Sequence, residues 1–256
     1  MIAVTDLAVL LGRGIGYSAS PAMHNAAFSE LGIDAHYELR DVDGQELADE
    51  VAALRGAGRI GGNVTTPHKI AVCDLVDELA PEVRRLGAAN TIARRADRLV
   101  ARNTDLPALA AELPRGVRRA VVLGAGGASR AVVTALHDAG CAQVLVLDRA
   151  RWANLPDALA TAQLLVNATP IGTDSDETPV PADLLRREMA VLDLVYRPSP
   201  TTLVREARAI GAWARGGAGM LLCQAALSFS LWTGRDAPLE AMREALRVEL
   251  GEHGDA

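Results

Sequence analysis

Apolar positions along the chain fall into short runs that alternate with stretches of helical period. Leu7–Leu11 predicts a strand, and Ser20-Pro21 then opens a helix through His24, Phe28 and Leu31. Serine at that point is placed to cap the helix. Proline fits the first turn, where its missing N–H would have no partner anyway. Ala35–Leu39 predicts a second strand and Gln45–Leu54 a second helix. Ile60–Val64 predicts a third strand, running into Thr65-Thr66-Pro67, after which the proline opens another helix. Thr91–Ala93 and Leu99–Ala101 flank the polar stretch Arg94–Arg98 and predict a β-hairpin.

The pattern changes character at about Leu106. Arg118–Leu123 is a short buried strand entering GAGGASRAVVTALHDAG, which predicts a helix ending near Gly140. Gln143–Leu147, Leu164–Val166 and Val191–Val195 are further strands, and helices are predicted at Gly219–Trp232 and Leu239–Leu250. Strands that alternate with helical segments imply parallel pairing, so the fold class is α/β, in two units with the helical tail free to pack on either. Only residues 149–163 separate the second and third strands of the later unit. That is close to the minimum of about a dozen for a parallel crossover, which predicts a trimmed helix there. There is no internal repeat and no low-complexity tract.

Composition narrows the function classes. The 256 residues are 50% hydrophobic and 23% charged, with a net charge of −6. A nucleic-acid partner calls for a basic face, and the 3% of aromatic residues supplies few rings for base stacking, so no nucleic-acid partner is expected. Cys73, Cys141 and Cys223 are widely spaced and odd in number, which argues for a reducing compartment over a disulfide framework. The histidines form no metal-ligand spacing, so no metal is expected. MIAVTDLAVLLG lacks a basic leader region, and no apolar run reaches the length of a membrane span, so a cytoplasmic chain without a membrane partner is expected. One asymmetry stands out. Of the 26 basic side chains 25 are arginine, and the single lysine is Lys69. A lysine amine can be tuned to release its proton, whereas a guanidinium cannot.

Gly124-Ala125-Gly126-Gly127-Ala128-Ser129 follows a strand and opens a helix, the context in which a glycine pattern reads as a dinucleotide site. Gly124 permits the tight turn, and Gly126 lets backbone approach a pyrophosphate held at the helix N-terminus. Asp148 lies 22 residues beyond Gly126, at the end of the next strand, where a carboxylate can bind ribose hydroxyls. An acid there would repel a 2′-phosphate and favour NAD, while Arg149 and Arg151 beside it can pair with one. The residues themselves leave both cofactors open.

The first half carries several polar clusters: Gly16-Tyr17-Ser18-Ala19-Ser20-Pro21, Asn63-Val64-Thr65-Thr66-Pro67-His68-Lys69, Ala89-Asn90-Thr91 and Asn103-Thr104-Asp105. Singly each is ordinary turn chemistry. Beside a dinucleotide half they suggest a polyhydroxylated substrate held by many hydrogen bonds.

The segments SASPAMHNAAF, NVTTPHK, GAANTI, NTD, GAGGASRA, NATPIGT, LDLVYRP and GMLLCQAALSFSLWTG occur in an order that resembles the shikimate dehydrogenases, from about Leu11 to Gly234. The resemblance implies an N-terminal α/β substrate domain (residues 1–105, with C-terminal helices 219–256) and a Rossmann NAD(P) domain over residues 106–218. It implies reversible NADPH-dependent reduction of 3-dehydroshikimate to shikimate, on the route to chorismate and the aromatic amino acids, by a monomer or homodimer. By resemblance Lys69 and Asp105 are the catalytic pair. Ser18 and Ser20 would meet the substrate carboxylate, Thr65, Asn90, Asp105 and Gln224 the ring hydroxyls, and Tyr196 would line the pocket. The cofactor set would be Gly124, Ala125, Gly126, Gly127, Ala128, Asp148, Arg149, Arg151, Thr169, Leu194, Gly217 and Met220.

Departures from the family pattern cluster near the cofactor. Asp148-Arg149-Ala150 stands where the family usually has Asn-Arg-Thr for the 2′-phosphate, Tyr17 replaces a usual His before Ser18, and Arg197 a usual Asn after Tyr196. The default cofactor is NADP, with NAD possible through Asp148. A NAD-dependent quinate/shikimate or aminoshikimate dehydrogenase is the alternative activity.

Overall fold

The computed structural model describes residues 6–251. In chain order the elements are β1 (Asp6–Gly12), α1 (Ser20–Glu30), β2 (Ala35–Asp41), α2 (Glu46–Ala53), β3 (Arg59–Val64), β4 (Glu78–Leu79), α3 (Pro81–Leu86), β5 (Thr91–Arg95) and β6 (Arg98–Arg102). They continue as α4 (Asp105–Glu112), β7 (Arg119–Leu123), α5 (Gly127–Asp138), β8 (Gln143–Leu147), α6 (Leu155–Ala160), β9 (Leu164–Asn167), β10 (Ala190–Asp193), α7 (Thr202–Ala209), β11 (Ala214–Arg215), α8 (Ala218–Thr233) and α9 (Leu239–Glu249). The chain divides into two compact units. The first takes in the chain to Thr104 and again from Leu222 onward, and the second is Asp105–Leu221.

The first unit holds a mixed sheet in the order β2-β1-β3-β5-β6-β4. β1 runs parallel to β2 and β3, as alternation with helices implies. Parallel pairing does not extend across the sheet: β5 is antiparallel to β3 and to β6. For β5 and β6 the physical reason is the short connection from Arg95 to Arg98, which can only join antiparallel neighbours. Val9, Leu11, Leu47, Val51, Ile92 and Leu99 anchor its core, and α9 packs along α1.

Two local expectations need correction here. Ser20 is the first residue of α1, not its cap. Ala19 holds the cap position in helical dihedrals without a side-chain bond, and the Ser18 hydroxyl accepts the Ser20 N–H at 3.3 Å. After Pro67 there is no α-helix either, only turns leading to a 3-10 segment at Ala71–Asp74. The Lys69 carbonyl is taken by the Ala89 N–H at 2.8 Å, and the Cys73 N–H bonds Ile70 O. A regular i→i+4 ladder therefore cannot propagate.

The second unit is an all-parallel sheet, β11-β10-β9-β7-β8. The chain steps from β7 outward to β8, then returns to β9 on the other side. The carboxyl ends of β7 and β9 thus flank a switch point, the usual ligand position in open α/β sheets. The β8–β9 crossover is a 3-10 run, Arg149–Asn154, followed by the six-residue α6. Val121, Leu123, Leu165, Val191, Leu203 and Val204 are buried between sheet and helices. Each such side chain contributes about 1.5–3 kcal/mol by leaving water.

Candidate active site

In the first unit the polar clusters gather at the carboxyl ends of β1 and β3, which are neighbouring strands. The Arg13 N–H bonds Thr66 O at 3.2 Å and the Thr65 N–H bonds Leu11 O at 2.9 Å, tying the two strand-end loops together. Ser18 sits on the first loop and Ser20 opens α1 directly after it, while Thr65 and Lys69 sit on the second. The Ala89 N–H on the Lys69 carbonyl brings the turn before Asn90 alongside. Asn90 is buried at the start of β5. Its Oδ1 accepts the Thr104 N–H at 2.7 Å, and its Nδ2 donates to Thr104 Oγ1 at 2.9 Å. A longer bond of 3.5 Å runs from Nδ2 to Oε1 of Gln224 on α8. Asn90 and Gln224, named from widely separated motifs, are therefore partners.

Beneath them lies a polar network that the sequence reading did not single out. Asn63 Nδ2 donates to Asn90 O at 3.1 Å, Thr91 Oγ1 at 3.0 Å and Ser228 Oγ at 3.0 Å, and the Tyr37 hydroxyl donates to Asn63 Oδ1 at 2.8 Å. Ser228 Oγ also donates to Gln224 O at 3.0 Å, one turn back along α8. The ring of Tyr37 stacks on His24, with centroids 4.4 Å apart. His24 is fully buried, and among the described residues neither of its ring nitrogens has a hydrogen-bond partner. Burial lowers its pKa to about 3, so the ring is neutral. The signal for Asn63 was present: an amide inside an apolar strand must find partners.

In the second unit the glycine turn joins β7 to α5. Gly124 has φ +105°, a conformation that disfavours a side chain, and its N–H bonds Leu147 O at 2.9 Å. The cap of α5, Gly126, brings no side-chain bond, so its first-turn N–H groups are suited to receiving an anion. Gly127 and Ala128 begin that helix, and Ala125 is exposed beside it. Asp148 follows β8 and is half-buried; its Oδ1 accepts the Arg151 N–H at 3.1 Å, capping the 3-10 run. Arg149 and Arg151 are exposed at the same strand end. Asp105 is buried at the first turn of α4, and Lys69 and Asp105 belong to different units. Thr169 follows β9, Leu194 and the half-buried Tyr196 follow β10, and Gly217 and Met220 border the start of α8.

Two family profiles match the chain: "Shikimate dehydrogenase substrate binding domain" over residues 10–92, and "Shikimate 5'-dehydrogenase C-terminal domain" over residues 217–247. A shikimate dehydrogenase (NADP(+)) of Halorubrum lacusprofundi is 44% identical, over 96% of this chain and 99% of its own length. The chain belongs to the shikimate dehydrogenase family.

A second relative, the shikimate dehydrogenase (NADP(+)) of Symbiobacterium thermophilum, is 41% identical over 94% of this chain and 93% of its own. Among solved structures, shikimate 5-dehydrogenase from Thermus thermophilus in complex with NADP(H) and shikimate has a TM-score of 0.84. It is 39% identical over 96% of this chain and all of its own. Quinate dehydrogenase from Corynebacterium glutamicum in complex with NAD has a TM-score of 0.83 at 29% identity, over 95% of this chain and 99% of its own. Family membership agrees with the two α/β units, the glycine turn of the second and the hydroxyl- and amide-rich strand ends of the first. Among the described residues no helix is long and apolar enough to cross a membrane.

Proposed function

We propose that this chain is a shikimate dehydrogenase that interconverts shikimate and 3-dehydroshikimate with NADP, its first unit binding the acid and its second the nucleotide. The single observation that carries the proposal is the partnership of Asn90 with Gln224 at the strand ends that also bear Ser18, Thr65 and Lys69. It supplies neutral donors and acceptors suited to ring hydroxyls, in the same unit as the chain's single lysine. The nucleotide fits the second unit through the uncapped first turn of α5, which would take the pyrophosphate, with Arg149 and Arg151 near the adenosine phosphate.

When bound, the nicotinamide supplies or accepts the hydride. The chain must then manage the proton on the reacting oxygen. We assign that proton to Lys69, and Asp105 is the second residue of the proposed pair. Ser18 and Ser20 hold the carboxylate, while Thr65, Asn90 and Gln224 hold the remaining hydroxyls and fix the ring.

A second reading, an NAD-dependent quinate/shikimate or aminoshikimate dehydrogenase, is favoured by Asp148, whose carboxylate sits at the end of β8 where a ribose hydroxyl would lie. Initial rates with shikimate, quinate and aminoshikimate, each with NADP+ and NAD+, separate the two. Highest kcat/KM for shikimate with NADP+ is expected, and a preference for quinate or aminoshikimate with NAD+ would overturn the first reading. Molecular mass in solution tests the expected monomer or homodimer.

A further inference from the structure

The end of β10 carries a buried carboxylate that the catalytic scheme does not use. Asp193 is 1% exposed in a strand otherwise apolar, and it is matched by Asn167, 0% exposed, at the end of β9. Asn167 Nδ2 donates to Asp193 Oδ1 at 2.8 Å, the Val195 N–H to the same oxygen at 3.0 Å, and the Thr201 hydroxyl to Oδ2 at 2.7 Å. Burial pushes the Asp193 carboxyl up to about 6, against the lowering effect of these three donors. The three donors offset part of the cost of burying the acid.

Three loops converge on the pair. Asn167 Oδ1 accepts the hydroxyl of Thr169 at 2.6 Å and its N–H at 3.0 Å, setting the loop after β9. Through the Val195 N–H, Asp193 sets the loop after β10, which carries Leu194. The Val195 carbonyl in turn accepts the Gly217 N–H at 3.0 Å, setting the entry to α8. All three loops leave the carboxyl edge of the parallel sheet, where ligands of such folds bind.

We propose that Asp193 and Asn167 are positioning residues for the cofactor site at the carboxyl edge of this sheet, holding Thr169, Leu194 and Gly217 in one arrangement. The inference rests on the second unit being the nucleotide-binding one. The acid does not touch the ligand; it orders the residues that do, so its loss acts on cofactor affinity and leaves substrate affinity alone.

The test is calorimetric titration of NADP+ into the full-length protein, with KM for shikimate measured alongside. Asp193→Ala is expected to weaken NADP+ by roughly tenfold, the scale of losing a charged hydrogen-bond set, with KM for shikimate unchanged within about twofold. Asp193→Asn keeps Oδ1 and can donate to the Thr201 hydroxyl, so it is expected to restore affinity. Val180→Ala, in the core of the same unit, controls for lost stability. If Asp193→Ala binds NADP+ as tightly as Val180→Ala does, the proposal is overturned. Where Asp193→Ala does not fold, Thr201→Val carries the test: a weakening of about threefold is expected from one lost donor, and unchanged affinity overturns the proposal. Failure of the functional reading shows separately, as wild-type protein that binds neither NADP+ nor NAD+.

Discussion

Replacing Gly61 by alanine tests how the first unit is assembled. Gly61 lies in β3 with φ +150°, and a Cβ built there would stand 2.4 Å from Nε1 of Trp232 and 2.5 Å from Ile92 O. The indole lies over the glycine and donates to Ile92 O at 3.0 Å. A methyl group must push the ring away by about 1 Å to restore ordinary contact. Displacement leaves the half-buried indole N–H without its acceptor, costing about 1–3 kcal/mol, and overpacking adds about 1–3 kcal/mol. The usual entropic benefit of Gly→Ala does not apply, because alanine cannot adopt this φ without strain. The sum is about 2–6 kcal/mol. Of the three tryptophans, Trp152 and Trp213 belong to the second unit. In a Trp152→Phe/Trp213→Phe background, fluorescence therefore reports Trp232 and the first unit alone. With a urea slope of about 2 kcal/mol/M, the midpoint should fall by about 1–3 M. Gly44→Ala, where nothing lies within 4 Å of the built Cβ, should leave it in place. An unmoved midpoint and emission spectrum for Gly61→Ala would refute the assignment of Trp232 as a strap over β3.

Lys69→Ala should lower kcat by about 10²–10⁴-fold, the range for a lost acid–base group, while KM for shikimate changes far less. Asp105→Ala should cost a comparable amount, and full activity in either variant, by steady-state assay at 340 nm, contradicts the assigned pair. Asp148→Asn should shift selectivity from NAD+ toward NADP+; an unchanged ratio of kcat/KM values means that the carboxylate serves only as the cap on the Arg151 N–H. His24 has its folded pKa depressed from 6.5 to about 3, so the unfolded chain binds the proton first. Its contribution is complete above pH 6.5 and is lost as pH falls toward 3. Urea titrations from pH 7 to 4 should therefore show a steeper loss of first-unit stability in wild type than in His24→Leu, and parallel losses would contradict it.

Much of the architecture was legible because local pattern and tertiary need coincide. The run Gln143–Leu147 and the glycine turn at Gly124 read as strand and strand-to-helix junction, and they are. Misreadings arose where a tertiary bond outbid a local preference. Pro67 can start a helix, yet the Ala89 N–H takes the Lys69 carbonyl. Ser20 can cap α1, yet Ser18 takes the backbone bond and Ser20 enters the helix. Two-residue strands such as Ala214–Arg215 carry too few positions to show a period.

The candidate site divides the same way. Single residue types already pointed to chemistry: one lysine among 25 arginines, and an acid 22 residues past Gly126. Their order along the chain carried the family resemblance. Asn63, Ser228, Asn167 and Asp193 are polar residues in apolar segments, which signals a need for partners but not which partners they take. Only the fold brings Ser228 to Asn63 across 165 positions, at 3.0 Å, and Asn167 to Asp193 across adjacent strands. By itself the sequence determined the α/β class, the glycine turn and the chemical groups available. Tertiary structure decided which of them meet, because buried polar atoms must be paired and the nearest partner in space is rarely the nearest along the chain.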